Sequence, residues 1–287
     1  MVSVLAMEQH DVVIIGGGVA GLAAAVQLGR VRRSVVVDAG GPRNARAEHL
    51  HSYLGFDGAR PADLLAAGRE EVARYGGTIT SGEVAEVSGN AADGFVVALA
   101  DGRTLGGRRV IVATGVTDDL PPIPGLAEQW GRGVIHCPFC HGWEHRDEPL
   151  GVLGGEPMRA RLLKAWSDDV TYYGETDETL PGITIEPRTI KAVRDGEIVF
   201  EDGDAKPCGG LLVPVTLHQR TDIAHQLGAT IAEPGMLAKD PIQVDAMAHT
   251  SVEGLYAAGD VTGDMPSMPI AIAAGLKTAA SIVHDRL

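Results

Sequence analysis

The sequence predicts an α/β protein built around two strand–helix–strand units. Three observations predict it. Hydrophobic residues make up 45 % of the 287, but aromatics only 4 %. The core must therefore rest on Ala, Val, Leu and Ile, as in proteins with buried parallel strands. Glycine contributes 38 residues, about twice the usual share, which points to tight turns or backbone held against a ligand. Short apolar runs also end in glycine and pass at once into Ala- and Leu-rich stretches, the βαβ pattern.

Taken in order, residues 11–15 read as a strand that runs into Gly16-Gly17-Gly18. Residues 19–28 read as a helix, and 34–37 as a second strand ending at Asp38. Residues 108–112 form another strand, leading into Ala113-Thr114-Gly115. Pro121, Pro122 and Pro124 then break the pattern and set a domain boundary near 118. A second unit follows, with a strand at 150–153, a helix at 159–167 and a strand at 169–173. The run 210–215 closes that segment. A late strand at 254–258 ends in Gly259-Asp260, and 269–285 is a long Ala-rich helix. The units at 11–38 and 150–173 are a weak internal repeat.

Charge and composition exclude several function classes. With 38 acids and 24 bases the net charge is −14. A nucleic-acid binder needs a basic face, and so does a protein that adheres to an anionic membrane. The apolar runs are strand-sized, so no transmembrane helix is expected. Residues 1–10 lack a basic segment followed by a long apolar run, so no signal peptide is expected; Met7 is an alternative start. Three cysteines are too few for a disulfide framework. This usage fits a reducing, cytoplasmic compartment with one functional pair. Cys208, between Pro207 and Gly209, reads as a loop residue.

Gly16-x-Gly18-x-x-Gly21 sits where a strand passes into a helix, and Asp38 follows Gly16 by 22 residues. Gly16 allows the turn, Gly18 lets backbone amides approach a pyrophosphate, and Gly21 lets the helix pack on the strand. The helix N-terminus places partial positive charge under the phosphates. Asp38 is placed to accept from ribose hydroxyls. A bare glycine turn that binds nothing is the bland alternative. This motif alone does not separate FAD from NAD.

His136-Cys-Pro-Phe-Cys-His-Gly-Trp143 is the reactive candidate. One reading is a glutaredoxin-like C-P-aromatic-C pair, although there the pair follows the first strand. A second is zinc bound by Cys137, Cys140, His141 and His145, although Cys208 supplies no second ligand pair. A third is a redox disulfide beside a flavin. His141 and His136 are candidate acid/base groups, because imidazole titrates near neutrality. Either is equally at home as a structural histidine. His51, in His49-Leu-His-Ser-Tyr-Leu-Gly55, is a weaker candidate.

Four motifs occur in order: GGGVAG at 16–21, ATG at 113–115, CPFC at 137–140 and GLYAAGDV at 254–261. Over nearly its whole length the chain resembles the low-molecular-weight thioredoxin reductase family. The last motif resembles that family's second FAD fingerprint, with Gly259 and Asp260 at the ribityl chain. The resemblance implies a two-domain Rossmann-like flavoprotein disulfide oxidoreductase fold with FAD as cofactor. It implies a discontinuous FAD domain, 1–118 and 218–287, a reduced NADPH-domain-like insert at 119–217, and a homodimer. By position, Cys140 resembles the cysteine that faces the flavin, and Cys137 the one that meets the substrate.

The chain departs from the reductases at their second nucleotide site. The corresponding stretch is Gly154-Gly155-Glu156-Pro157-Met158-Arg159. A carboxylate stands where backbone should touch pyrophosphate, and Pro157 removes an amide donor. Gly174-Glu-Thr-Asp-Glu178 is acidic where reductases carry arginines for the 2′-phosphate. His141 replaces their usual aspartate. These features resemble a branch of dithiol oxidases of the gliotoxin and holomycin type. That resemblance implies a small-molecule dithiol substrate, molecular oxygen as acceptor and H2O2 as product. A thioredoxin reductase and a non-catalytic thiol-sensing flavoprotein remain the alternatives.

Overall fold

The computed structural model describes residues 7–31 and 34–285; residues 1–6 of the stretch read for a leader lie outside it. The chain forms two compact units. The first takes 1–43, 62–117 and 217–287, and the second takes 44–61 and 118–216. Residues 44–61, expected within the first domain, fall in the second unit. That segment closes on itself: the Leu50 amide donates to the Ala59 carbonyl, and the Gly58 amide to the Leu50 carbonyl, both at 2.8 Å.

In the first unit, strand Glu8–Ile15 lies at the centre of a seven-stranded sheet. Ser34–Asp38 pairs parallel on one side of it and Thr104–Val112 parallel on the other. Thr78–Ser81 extends the parallel edge beyond Ser34–Asp38. On its other side Thr104–Val112 serves two more neighbours: its first half pairs antiparallel with Gly94–Leu99, its second half parallel with Leu255–Ala257. The central strands are buried on both faces, as a parallel sheet requires. Val12, Ile14 and Val36 meet helices Val19–Gly29 and Met268–His284 through Ala24, Ala25, Leu28 and Ala279. Val13, Ile15, Val35 and Val37 turn to the other face, against Phe95, Ile223 and Ile242. A run of β-branched residues at successive positions supplies both faces.

In the second unit a five-stranded parallel sheet runs in the order Thr184–Glu186, Val170–Tyr173, Leu150–Leu153, Gly210–Leu212, Val134–Ile135. Helix Met158–Leu163 covers it through Ala160 and Leu163. A three-stranded antiparallel sheet, Ile190–Arg194, Glu197–Phe200 and Ala205–Pro207, completes the unit. The helix read at 159–167 ends four residues early. Cys208 does lie in a short connection, between strands Ala205–Pro207 and Gly210–Leu212, but it is buried there. Burial pushes its thiol pKa up to about 12.

Candidate functional site

Each unit carries a site. In the first, strand Glu8–Ile15 delivers Gly16 to the turn with φ +116°, a conformation that disfavours every other residue. A Cβ on Gly16 would overlap the Ala113 carbonyl, and one on Gly21 would overlap the Gly16 carbonyl. These two glycines are therefore packing requirements. Gly18 is different, because a Cβ there would meet nothing within 4 Å. It begins helix Val19–Gly29, and no side chain caps that helix. The first-turn amides therefore have no side-chain acceptor, which suits a bound pyrophosphate.

Asp38 stands at the end of the neighbouring strand. Its Oδ1 accepts from the Gly40 amide at 2.9 Å, and its Oδ2 from Arg69 at 2.7 Å. Each oxygen keeps a lone pair for a hydroxyl donor. Thr114, within Ala113-Thr114-Gly115, has a buried hydroxyl with no partner among the described residues. Buried hydroxyls are normally satisfied, so this one fits a contact to a bound ligand. Gly259 takes φ +83° and Asp260 opens a short helical turn, with its carboxylate 3.7 Å from Arg43. These features fit FAD. Arg43 and Arg69 were missed in the sequence, and Gly17, where a Cβ would overlap the Asp38 carboxylate, stood in the turn with no role assigned. The two arginines carry no motif.

In the second unit, strand Val134–Ile135 leads through His136 to Cys137, which precedes the helical turn Pro138–His141. Pro138 at the first helical position has a fixed φ that suits it, and its missing N–H costs nothing there. Cys137 is the extended residue that starts the turn, and Cys140 is the third residue within it. The Cys140 amide donates to the Cys137 carbonyl at 3.2 Å. Both cysteines are half-buried. A Cβ on Gly142 would overlap the Pro138 carbonyl and the Trp166 ring, so the chain can leave the turn here only through glycine. Phe139 and Trp143 are each 64 % exposed, which gives the pair an apolar rim.

His141 is largely withdrawn from solvent, and its Nδ1 has no hydrogen-bond partner among the described residues. Burial holds its pKa below the usual value, while the Glu144 carboxylate opposes that shift. It is therefore a neutral imidazole at pH 7, able to accept a proton. His136 packs its ring 5.6 Å from that of Trp130. His145 faces Glu148 at 3.2 Å and the Arg132 carbonyl at 3.1 Å. Among the described residues no group of three His, Cys, Asp or Glu could hold a metal ion. His51 lies beside the cysteine turn, within reach of Glu144. Glu144 was missed, because nothing in the sequence marks it.

The second glycine turn is occupied by its own side chains. Arg159 extends back across it, within 4 Å of the space beside Gly155, and donates to the Val213 carbonyl at 2.7 Å. The Tyr172 hydroxyl ties the Gly155 carbonyl at 2.7 Å. Downstream, Arg161 pairs with Glu178 at 2.8 Å.

The profile of the family described as Pyridine nucleotide-disulphide oxidoreductase matches residues 10–158. Thioredoxin reductase tcpT of Claviceps purpurea is 34 % identical, over 92 % of this chain and 90 % of its own. Thioredoxin reductase aclD of Aspergillus oryzae is 32 % identical, over 98 % of each. Among solved structures, an oxidoreductase from Agrobacterium tumefaciens superposes with a TM-score of 0.90 at 33 % identity, covering 97 % of this chain and 98 % of that one. HlmI superposes with a TM-score of 0.85 at 36 % identity, covering 97 % and 92 %. Among the described residues no helix is long and apolar enough to cross a membrane.

Proposed function

The chain belongs to the pyridine nucleotide-disulphide oxidoreductase family, and on that premise we propose that it is an FAD-dependent dithiol oxidase. It closes an intramolecular disulfide in a small, mostly apolar dithiol and passes the electrons to O2. The net reaction is dithiol + O2 → cyclic disulfide + H2O2. The thioredoxin reductase-like fold and its oxidoreductase chemistry are common ground with the relatives named above. One observation carries the step from reductase to oxidase. The second nucleotide turn holds Glu156, Pro157 and the folded-back Arg159 where a pyrophosphate would need bare backbone.

Gly16, Gly18, Gly21, Asp38, Ala113, Thr114, Gly115, Gly259 and Asp260 would hold FAD. Bound there, FAD supplies the two-electron acceptor that restores the cysteine disulfide and the route to O2. The rest is done by the chain's own groups. Neutral His141 takes the proton of one substrate thiol, since the thiolate is the nucleophile. That thiolate attacks Cys137 Sγ, the Cys137–Cys140 bond breaks, and Cys140 leaves as thiolate. His141, having passed the first proton to solvent, takes that of the second substrate thiol, which attacks the substrate sulfur held on Cys137. Cys137 leaves as thiolate and the cyclic disulfide departs. Two electrons now reside on the pair. Phe139 and Trp143 support an apolar substrate, since both rings stay largely exposed even though Phe139 meets Trp166 and Trp143 meets the Arg146 guanidinium. The functional unit on this reading is a homodimer.

An oxygen electrode with a peroxide assay tests the reading. Added small vicinal or 1,4-dithiols will drive O2 uptake, with one H2O2 per disulfide formed. Cys137→Ser and Cys140→Ser will each abolish it while FAD stays bound. No uptake with any dithiol, together with efficient reduction of a thioredoxin-like protein by an added electron donor, would overturn it in favour of a reductase.

A further inference from the structure

Segment Asn44–Pro61 belongs to the same compact unit as the cysteine turn, and its contacts there are specific. Leu50 is buried and anchors both arms of the loop through its backbone. Ser52 then takes φ +59°, unusual for a residue with a side chain. That strain is held by two bonds. The Ser52 amide donates to Asp57 Oδ1 at 3.2 Å, and its hydroxyl donates to the Phe139 carbonyl, between the two cysteines, at 3.3 Å. His51, one residue earlier, has a carboxylate at each ring nitrogen. Nδ1 lies 3.3 Å from Asp57 Oδ1, and Nε2 lies 3.2 Å from Glu144 Oε1. Glu144 follows His141 by three residues. The loop therefore grips the cysteine turn at two points, one before Cys140 and one after His141.

We infer that His51 is a positioning residue of the cysteine centre, bridging Asp57 and Glu144 so that the Glu144 carboxylate is held beside His141. The inference rests on the proposed role of His141 as the proton acceptor. His141 has no hydrogen-bond partner at Nδ1, so nothing of the usual carboxylate–imidazole kind stabilises its protonated form directly. The groups that act on it are Glu144, His145 and His51, and of these only Glu144 favours the charged ring. A carboxylate on a free side chain would spread over many rotamers. Fixed by His51, it stays where its field offsets the cost of charging a buried imidazole. Asp57 in turn fixes His51 and the Ser52 turn.

The test follows the ring itself, not turnover. Holoprotein labelled at histidine carbons, with the cysteine pair reduced, is titrated by NMR, and His141 is assigned by its missing signal in His141→Gln. Glu144→Gln will move the His141 midpoint to lower pH, because the one group that favours the cation is gone. His51→Gln removes a charge that itself disfavours the cation, so in a Glu144→Gln background it will raise the midpoint; with Glu144 present the released carboxylate will cut that rise or reverse it, and Asp57→Asn will lower the midpoint. Flavin retention shows that each variant is folded. An unchanged His141 midpoint in Glu144→Gln, or the same His51→Gln shift with and without Glu144, would overturn the inference. A midpoint that moves in a protein that consumes no oxygen would leave His51 in place and remove the oxidase reading instead.

Discussion

At the residue scale the three cysteines separate by environment. Cys137 and Cys140 are half-buried on an exposed turn, whereas Cys208 is buried with its thiol pKa at about 12. Reactivity follows the thiolate. Brief iodoacetamide treatment of the reduced native protein at pH 8 will label Cys137 and Cys140, and mass spectrometry will find Cys208 modified only after denaturation. Comparable labelling of all three would mean that the second unit opens readily around Gly151 and Gly210. Cys208→Ser is correspondingly not silent. It swaps a thiol that donates only weakly, to the Gly210 carbonyl at 3.4 Å, for a hydroxyl needing a stronger partner. Urea melts will show a loss of about 1–3 kcal/mol, the usual cost of a poorly satisfied buried polar group. The sequence hid this, because Pro207 and Gly209 read as loop signals, yet Pro207 ends an edge strand, where its missing N–H is harmless.

At the element scale, the two βαβ units were legible because apolar runs ending in glycine leave few alternatives. The helix Pro61–Arg74 and the hairpin of Val84–Asn90 and Gly94–Leu99 were not. That helix is charged along most of its surface and buries only a narrow stripe including Leu65 and Val72, so its period is faint. Strand Val84–Asn90 buries only Val87. The FAD-type glycines were legible from spacing. Arg43, Arg69, Ser52 and Glu144 were not, because their roles arise only when distant segments meet. Gly275 is a further case. It looks like an ordinary residue of an Ala-rich helix, but a Cβ there would overlap the Ala20 carbonyl of helix Val19–Gly29. Gly275→Ala will force these helices apart and cost about 1–3 kcal/mol, as overpacking does. It will also weaken flavin retention, since Ala20 lies in the first turn after Gly18. Wild-type stability and flavin content would mean that the helices shift without strain.

The end of the same long helix carries a titratable latch. His249 Nδ1 lies 2.9 Å from Asp245 Oδ2, and its Nε2 2.9 Å from Asp285 Oδ2. The Tyr256 hydroxyl donates to the same Asp285 oxygen at 2.5 Å. Asp245, then Asp285, raises the His249 pKa above 6.5. A raised histidine pKa means that folding binds the proton more tightly than the unfolded chain does. The added stability is fully present below the unfolded pKa of about 6.5 and fades as pH rises through the folded one. Thermal melts of His249→Gln will therefore fall furthest below wild type near pH 6, and the gap will narrow by pH 9. A gap that is constant or widens with pH would show that the contacts act through packing and not through charge.

At the scale of the whole molecule, two nucleotide-type turns in one chain have different fates. The first keeps open backbone at Gly18 and an uncapped helix; the second is filled by Arg159 and bordered by Glu156. A pyrophosphate placed at the second turn would have to displace the Arg159–Val213 bond, worth about 1.5–3 kcal/mol when the donor is charged. It would also meet the Glu156 carboxylate at close range, which costs about 1 kcal/mol per charge pair at 4 Å in water and about 4 kcal/mol near a protein surface. A 2′-phosphate would add the field of Glu175 and Asp177, while Arg161 offsets Glu178. Since 1.4 kcal/mol is a factor of ten, these terms together weaken NADPH by two or more orders of magnitude relative to an all-glycine turn. Anaerobic mixing of the holoprotein with NADPH will therefore leave the flavin absorbance band almost unchanged over seconds, whereas a small dithiol will bleach it. Rapid bleaching by NADPH at micromolar concentration would show that Arg159 swings aside and that the second turn still binds nucleotide.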